Sequence, residues 1–253
     1  MSIRKNVIKL PEEAGLAMIL IPGGTFTMGS PKSELGHERD EEPQHIVTLE
    51  PFLMGEHLIT QHQWRAVASL PKVERELDSN PSRFERGKFD GHYCPVEGVS
   101  WDDAVEFCAR LSAHSGQLYT LPSEAQWEYA CRAGTESPFY FGDLLTNKAN
   151  YNEFHKGPTD VGSFPPNAFG LYDMHGNVWE WCLDTGHDNY EGAPTDGNAW
   201  LTGGDSSRRI VRGGSWTDDP RDCRSACRLR ARLDKRSDDF GFRIVSPATS
   251  TRG

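Results

Sequence analysis

The sequence predicts one α+β domain that is low in regular secondary structure. Three short amphipathic segments follow helix-capping signals, and several short apolar runs are typical of strands. Two long stretches show neither the helical nor the strand period of apolar residues. The 253 residues contain no change of composition and no linker that would separate two cores. One large domain of this length is common, so we expect residues 1–253 to form a single domain.

The predicted strands lie in the N-terminal part of the chain. Residues 18–21 are an apolar run that ends at Pro22, and residues 25–28 then alternate as the return strand of a hairpin would. Residues 46–49 and 52–54 are two further short strands. The charged, turn-rich residues between the second and third strands predict a loop.

Three helices are predicted from capping boxes, in which a hydroxyl accepts from free N–H groups and a polar side chain reaches back. The pairs are Thr60 with Gln63, Ser100 with Asp103, and Ser123 with Gln126. Glycine favours the left-handed conformation that ends helices, so Gly116 and Gly134 should end the second and third. Trp64, Trp101 and Trp127 fall in the first turns of these helices, where we expect core packing.

Two regions, residues 135–167 and 184–209, hold Pro, Gly, Asn and aromatic residues in short bursts. Neither shows a helical or strand period. Irregular backbone must still have its polar groups satisfied, and bound ions or ordered water are the usual means. We therefore expect two large loop regions.

Composition excludes several classes of protein. The net charge of -10 and the pI of about 5.4 argue against general nucleic-acid binding, which depends on neutralising phosphates. No apolar run approaches the ~20 residues of a membrane span, and residues 1–9 lack the apolar centre of a signal peptide. The default expectation is a cytoplasmic protein. None of the six cysteines forms a CxxC pair, so we expect thiols, with Cys108 and Cys131 buried in helices.

Residues 212–243 differ in texture from the rest of the chain. Gly213-Gly214 and Gly241 bracket a stretch in which arginines and aspartates are interleaved without a helical or strand period. The arginines are Arg221, Arg224, Arg228, Arg230, Arg232 and Arg236. We expect them to form a solvated surface crossed by ion pairs. A heterogeneous insert between fixed glycines indicates a recognition surface carried on a scaffold.

Seven motifs occur in an order that resembles one known family. They are residues 21–29 (IPGGTFTMG), 95–101 (PVEGVSW), 120–130 (TLPSEAQWEYA), 167–173 (NAFGLYD), 176–181 (GNVWEW), 212–216 (RGGSW) and 241–243 (GFR). Together they resemble the formylglycine-generating-enzyme (sulfatase-modifying factor) domain family, over nearly the whole chain. The resemblance implies a variant C-type-lectin-like fold, which is an α+β domain low in regular secondary structure.

The resemblance also implies calcium. In the family's enzymes one ion lies in the loop that matches residues 173–180, which gives the side chains of Asp173 and Glu180 and the carbonyls of Gly176 and Val178. Clustered oxygen ligands of this kind suit calcium. The alternative is that Glu180 pairs with an arginine and Asp173 caps a turn. A second family site would begin at Asn150, but its acidic ligand has no clear match here.

The family's enzymes oxidise a substrate cysteine to formylglycine with oxygen and copper, and two thiolates bind the copper ion. These cysteines lie two and seven residues after the aromatic residue of the GGS-aromatic motif. Here Cys223 matches the second position, but Asp218 replaces the first cysteine. An extended chain would hold the thiol of Cys227 too far from Cys223 to substitute. We therefore do not expect copper, and Cys223 is a catalytic candidate only if the enzyme alternative holds.

Non-enzymatic relatives in this family include variable proteins of diversity-generating retroelements, in which adenines of a template repeat are randomised, mostly in AAC codons. Between Trp216 and Gly241 this chain has no asparagine, and only Lys235 has a residue type that AAC cannot reach by changing its adenines. The predicted ligand-binding residues are Trp216, Thr217, Asp218, Asp219, Asp222, Cys227, Leu229, Ala231, Leu233, Ser237, Asp238, Asp239 and Phe240. Leu229, Leu233 and Phe240 would supply apolar contact, and Cys227 is expected to be an exposed thiol.

Three functions remain open from the sequence. The favoured one is a non-enzymatic display protein whose diversified C-terminal surface, within residues 212–243, binds an unknown ligand, expected to be a protein. The alternatives are a copper-dependent formylglycine-generating oxidase, or another oxygen-dependent sulfur enzyme on this fold, and a regulatory module with one fixed protein partner. A template repeat beside a reverse-transcriptase gene, oxidation of a Cys-x-Pro-x-Arg peptide, or one consistent protein partner would distinguish them.

Overall fold

The computed structural model of this chain describes residues 5–84 and 93–248. Within these residues, strands form three small sheets, and three α-helices and three short 3-10 helices make up the helical segments, so much of the chain is irregular. The chain is therefore an α+β domain, as the sequence predicts. No helix in the described ranges is long and apolar enough to cross a bilayer.

The first sheet joins strands from both ends of the sequence. Its members are β1 (Lys5–Lys9), β2 (Gly15–Ile21), β5 (Phe52–Gly55) and β10 (Val245–Pro247), in the order β1-β2-β5-β10. All neighbouring strands are antiparallel. The sequence analysis did not predict β1 or β10. Because β10 pairs with β5, this sheet is completed only by residues near the C-terminal end of the sequence.

The second sheet has two strands and corrects the predicted hairpin. β3 (Gly24–Met28) pairs antiparallel with β4 (His45–Leu49), whereas β2 pairs with β1 and β5. The strand assignments of residues 18–21 and 25–28 hold, but their predicted pairing is wrong. The chain passes tightly between two sheets at Gly23, where an added Cβ would lie 2.7 Å from the Leu49 carbonyl oxygen.

The third sheet carries the C-terminal segment. β8 (Arg228–Arg232), β7 (Asp205–Arg212), β6 (Trp179–Gly186) and β9 (Phe240–Gly241) lie in the order β8-β7-β6-β9, with β9 parallel to β6. Residues 212–243 show no strand period in the sequence, yet they contain β8 and β9. β6 and β7 also enter the loop predicted at 184–209. These strands were missed because arginines occupy both buried and exposed positions of β7 and β8, which removes the usual apolar alternation.

The three predicted helices are present. They are α1 (Gln61–Ala68), α2 (Trp101–Ser115) and α3 (Glu124–Arg132), and each begins with a complete capping box. Gly116 ends α2 in the left-handed conformation, with φ of 73°. Ala133 takes that role for α3, one residue before the predicted Gly134. Trp64 and Trp127 are buried, and the half-buried Trp101 donates its indole N–H to the Cys182 carbonyl at 2.9 Å.

Four buried arginines connect the C-terminal segment to the rest of the domain. They pair as Arg212–Glu128, Arg224–Glu41, Arg228–Glu124 and Arg243–Glu180, and we call these pairs the Arg–Glu frame. The contacts are extensive. The Arg228 guanidinium contacts both Glu124 oxygens at 2.7 Å, and Arg212 donates to the carbonyls of Ser225, Ala226 and Cys227 at 2.7–2.9 Å.

The frame corrects the expectation of a solvated arginine surface. Arg224 and Arg228 are only 2% and 5% exposed, although Arg221 and Arg232 do lie at the surface. Burial opposes ionisation of Glu124, but the guanidinium of Arg228 outweighs it and lowers the pKa of Glu124. The partner carboxylates lie 63 to 183 residues away in the sequence, so no local pattern could reveal them.

We expect replacement of Arg228 by alanine to lower the free energy of unfolding by about 3 kcal/mol, because it removes the partner that contacts both oxygens of the buried Glu124 carboxylate and leaves the longer contact with Arg212 at 3.5 Å. The matched control is Arg232→Ala on the same strand. Arg232 is exposed, and among the described residues its ion pair is with the exposed Asp234, so its loss should leave stability almost unchanged. Urea unfolding of both variants measures the difference, and equal stabilities would contradict this account of the frame.

Candidate functional site

The candidate site lies where the chain leaves β7. Gly213 and Gly214 have φ of 99° and 72°, in the left-handed region that favours glycine. A Cβ on Gly214 would lie 2.6 Å from the Cys223 sulfur. The turn therefore needs glycine for both its backbone conformation and its close approach to Cys223. It delivers Ser215 into the interior and Trp216 to the surface.

Eight of the predicted ligand-binding residues collect around this turn. They are Trp216, Thr217, Asp218, Asp219, Asp222, Ser237, Asp238 and Asp239, and we call them the Trp216 patch. All eight are half-buried or exposed. Trp216 joins the two segments that contribute to the patch, because its indole N–H donates to the Asp238 carbonyl at 3.2 Å. The sequence therefore identified most of one continuous surface.

The backbone of the patch is fixed by neighbouring loops. The Trp216 N–H donates to the Asn177 carbonyl at 2.9 Å, and the Trp216 carbonyl accepts from the Glu153 N–H at 2.7 Å. The Asp218 carbonyl accepts from the Asn152 N–H at 3.0 Å. A hydrogen bond from the Ser215 hydroxyl holds the Asp218 carboxylate. These main-chain contacts do not depend on which side chain occupies position 217, 218 or 219.

The patch is acidic. Burial raises the pKa of Asp222, and the nearby Asp218 carboxylate raises it further. Burial likewise raises the pKa of Asp239, again with Asp218 acting in the same direction. Asp238 forms an ion pair with Arg83 at 3.5 Å. The surface thus concentrates negative charge around one tryptophan, and it should attract basic ligands more readily than acidic ones.

Three predicted ligand-binding residues are buried, which corrects their assignment. Cys227, Ala231 and Phe240 are 7%, 8% and 4% exposed. Ala231 is buried in β8, and Phe240 pairs with β6 and packs its ring 5.2 Å from the Trp181 ring. Cys227 follows the turn that Arg212 holds, so it is a core thiol rather than an exposed one. All three side chains pack in the core and offer very little surface to a ligand.

Leu229 and Leu233 lie apart from the Trp216 patch. Leu229 projects from β8, which occupies the opposite edge of the third sheet from β9 and Phe240. The Leu233 carbonyl accepts from the N–H of Trp101 at 3.1 Å, at the start of α2. Leu229 is 41% exposed and Leu233 is half-buried. The thirteen predicted positions therefore do not form one surface.

The sequence analysis missed Phe84, Arg83 and Glu97, which flank the patch. The Phe84 ring meets Trp216 edge-on, with ring centroids 5.3 Å apart. Glu97 is fully buried, accepts from the Phe84 N–H at 2.9 Å, and leaves its other carboxylate oxygen without a described partner. Burial raises the pKa of Glu97 to about 7. Its place in the PVEGVSW motif was the available signal.

The two thiols nearest the patch are both buried. Cys223 ends a short 3-10 turn (Pro220–Cys223), which the sequence analysis did not predict, and Cys227 follows four residues later. Burial raises the pKa of Cys227 to about 12 and that of Cys223 well above its usual value. At neutral pH both are protonated thiols. The position that carries the other copper-binding cysteine in the family's enzymes holds the carboxylate of Asp218.

The predicted calcium ligands fit a cation only in part. Burial raises the pKa of Asp173 to about 6. Its Oδ1 is buried without a described partner, which is compatible with an oxygen that binds a cation. Glu180, however, already holds the Arg243 guanidinium at 2.6 and 2.7 Å through both oxygens. The alternative reading of Glu180 is therefore the observed one. No group of three or more metal-binding side chains occurs among residues 5–84 and 93–248.

Calcium remains a prediction that depends on Asp173, with the carbonyls of Gly176 and Val178 as its proposed partners. We expect EGTA to lower the melting temperature by roughly 5–10 °C relative to calcium at a hundredfold excess over Kd, because a ligand that binds only the folded state stabilises it. Asp173→Asn should abolish this response, and Asp234→Asn, at an exposed position, should retain it. Equal melting temperatures of the unmodified protein in EGTA and in calcium would contradict the prediction.

Comparison with known proteins places the chain in a family. Residues 5–248 match the model of the Sulfatase-modifying factor enzyme 1-like domain. The serine/threonine-protein kinase Pkn1 of Chlamydia trachomatis is 33% identical over 96% of this chain, but the chain spans only 40% of that kinase. The formylglycine-generating enzyme of Streptomyces coelicolor is 30% identical, over 93% of this chain and 90% of the enzyme.

Two solved structures share the fold over nearly their whole length. PvdO from Pseudomonas aeruginosa is 34% identical with a TM-score of 0.84, and the match covers 96% of this chain and 98% of PvdO. Treponema denticola variable protein 1 is 24% identical with a TM-score of 0.82, covering 96% and 99%. The expected fold class, the C-type-lectin-like fold of formylglycine-generating enzymes, is thereby confirmed. The chain belongs to the Sulfatase-modifying factor enzyme 1-like domain family.

Proposed function

We propose that this chain is a non-enzymatic ligand-binding protein, that the Trp216 patch is its ligand surface, and that a retroelement diversifies the exposed side chains there. The observation that carries the proposal is that residues 212–243 contain two sets of side chains with different roles. The arginines of the Arg–Glu frame point inward and fix the backbone, while the residues of the Trp216 patch point outward. The backbone contacts of the patch are made by main-chain atoms of Asn152, Glu153 and Asn177.

Because buried groups hold the backbone, the exposed side chains of the Trp216 patch can change without refolding the domain. A rigid backbone also reduces the entropy that a binding surface loses when its partner arrives. The residue types of the patch agree with diversification of AAC codons, except that Trp216 itself lies outside the randomised range. The fold likeness to Treponema denticola variable protein 1 is compatible with this function, since that protein uses the same architecture.

Two observations disfavour the oxidase alternative. Asp218 replaces one of the two thiolates that the family's enzymes use for copper, and a carboxylate is a poor ligand for Cu(I). Cys223 and Cys227 are buried and protonated at neutral pH. The regulatory alternative, with one fixed partner, uses the same surface and differs only in whether its residues are exchangeable.

The first test exchanges the surface and measures folding. A variant with asparagine at positions 217, 218, 219, 222, 237 and 238 should remain folded and melt within about 10 °C of the unmodified protein, because surface substitutions rarely change stability by more than about 0.5 kcal/mol each. The control places asparagine at the buried positions Cys227, Ala231 and Phe240. We expect that control to be unfolded at room temperature, since each change buries an amide in the core.

The outcome separates the proposals. Failure of the surface variant to fold would contradict an exchangeable face. Diversification itself is tested in the source genome, where we expect an adenine-rich, nearly identical repeat whose mismatches fall at template adenines. The absence of such a repeat would leave a ligand-binding module with a fixed surface and would remove the retroelement from the proposal.

The oxidase alternative has its own assay. The purified, copper-loaded protein is incubated in air with a peptide that contains Cys-x-Pro-x-Arg, and the peptide mass is followed. We expect no change at the cysteine, even after Asp218→Cys restores one thiol, because Cys223 stays buried. Conversion of the cysteine by the unmodified protein would overturn the non-enzymatic assignment.

A further inference from the structure

A second binding site is suggested by the two-stranded sheet of β3 and β4. β3 hydrogen-bonds to β4 along one edge only, and no other described strand pairs with it. Unpaired strand edges present rows of free N–H and C=O groups, which proteins normally cover or blunt. The edge of β3 therefore raises the question of what it binds.

The direction of these groups follows from one hydrogen bond. The N–H of Thr48 on β4 donates to the Thr195 carbonyl at 2.9 Å, so the main-chain groups of Thr48 point away from β3. In an antiparallel pair, the main-chain N–H and C=O groups of two opposite residues either point toward each other or both point away from the partner strand. Thr48 lies opposite Thr25, and Ile46 lies opposite Thr27. The main-chain groups of Thr25 and Thr27 therefore point out of the free edge, and no described residue bonds to them.

A groove of about 470 Å³ runs along this edge. Its lining includes Gly24, Thr25, Phe26 and Thr27 in succession. Consecutive residues of a strand alternate between its faces, so a groove that contacts all four follows the edge rather than one face. Its volume lies in the range of ligand-binding sites.

The groove has an aromatic floor and one free charge. The rings of Phe26 and Tyr129 are 5.4 Å apart, and those of Tyr129 and Phe169 are 5.6 Å apart. Arg132, on the wall, is already paired with the buried Glu128. The exposed Glu136 at the rim forms no ion pair with any residue in the described ranges. The groove thus offers strand-pairing groups, an apolar floor and one unneutralised carboxylate.

We propose that this groove binds an extended segment of a partner protein, which adds to β3 as a third strand. Main-chain groups of Thr25 and Thr27 would pair with alternate residues of that segment, which is the usual mode of strand addition. An apolar side chain of the segment would rest on the aromatic floor, and a lysine or arginine would face Glu136. The site shares no residue with the Trp216 patch, so it stands or falls independently of the proposed ligand surface.

The free protein provides the first measurement. Amide hydrogen exchange should be fast at Thr25 and Thr27 and slow at Phe26, whose N–H faces β4. The probe is the synthetic peptide acetyl-Ser-Val-Lys-Val-Ser-amide at millimolar concentration. We expect the Thr25 and Thr27 amides to exchange about tenfold more slowly with peptide present, as newly formed strand hydrogen bonds protect them.

Two N-methylated analogues of the probe give a sharper test. One carries methyl groups on both valine amides, and the other on the lysine and the second serine amide. A strand pairs through one edge, so one analogue should bind like the parent and the other should lose about tenfold or more in affinity. Equal binding by both analogues, or unchanged exchange at Thr25 and Thr27 with the parent peptide, would overturn the proposal.

Matched variants complete the experiment. Thr27→Pro removes one outward N–H without removing a bond to β4, and Thr27→Val keeps it. Binding should fall about tenfold in the first variant and persist in the second. The unmodified protein should bind the lysine peptide more tightly than the same peptide with glutamate in place of lysine. Glu136→Lys should reverse this charge preference, so that the glutamate peptide binds more tightly. If Thr27→Pro does not fold, Glu136→Lys decides, and an unchanged preference there would count against the site.

Discussion

The structure depends on buried ion pairs that tie the C-terminal segment to distant elements. Arg224 reaches Glu34 and Glu41 near the start of the chain, and Arg228 reaches Glu124 at the beginning of α3. A buried pair adds little net stability over a well-packed apolar core, but removing one partner is costly because the other charge stays buried. We therefore attribute to these pairs the choice of one backbone path for residues 212–243, rather than a large gain in stability.

That choice explains how a chain segment with so little apolar patterning has a defined conformation. Arg212 donates to three successive carbonyls, at Ser225, Ala226 and Cys227, and so fixes a turn whose own side chains do not specify it. The aspartates of the Trp216 patch form none of the buried Arg–Glu pairs that hold the segment. The segment therefore has two kinds of charged residue: buried arginines that hold its backbone and aspartates that point outward. From the sequence alone, this mixture predicted a uniformly solvated surface.

Sequence reasoning succeeded where the cause of a structure is local. The capping boxes at Thr60, Ser100 and Ser123 involve residues three apart, and all three helices began as predicted. It failed where the cause is distant. The pairing of β3 with β4, the burial of Arg224 and the capture of Glu180 by Arg243 all depend on partners that no local window contains.

The candidate site shows the same limit. Eight of the predicted ligand-binding residues do share one surface, because the turn at Gly213-Gly214 presents Trp216 and its indole N–H joins residues 216–222 to residues 237–239. The burial of Ala231 and Phe240 follows from strand register, which the whole third sheet sets, and the burial of Cys227 follows from the turn that Arg212 holds. Phe84 and Glu97 flank the patch from another part of the chain, so only the folded structure brings them to it.

The pairing of β10 with β5 has a consequence for how the domain is made. During synthesis, β5 emerges almost two hundred residues before the strand that will cover its second edge. Contacts of such long sequence separation form slowly, and exposed strand edges favour association between nascent chains. Ribosome-bound intermediates of this domain must therefore wait, with the first sheet open on one side, until Val245 has left the exit tunnel.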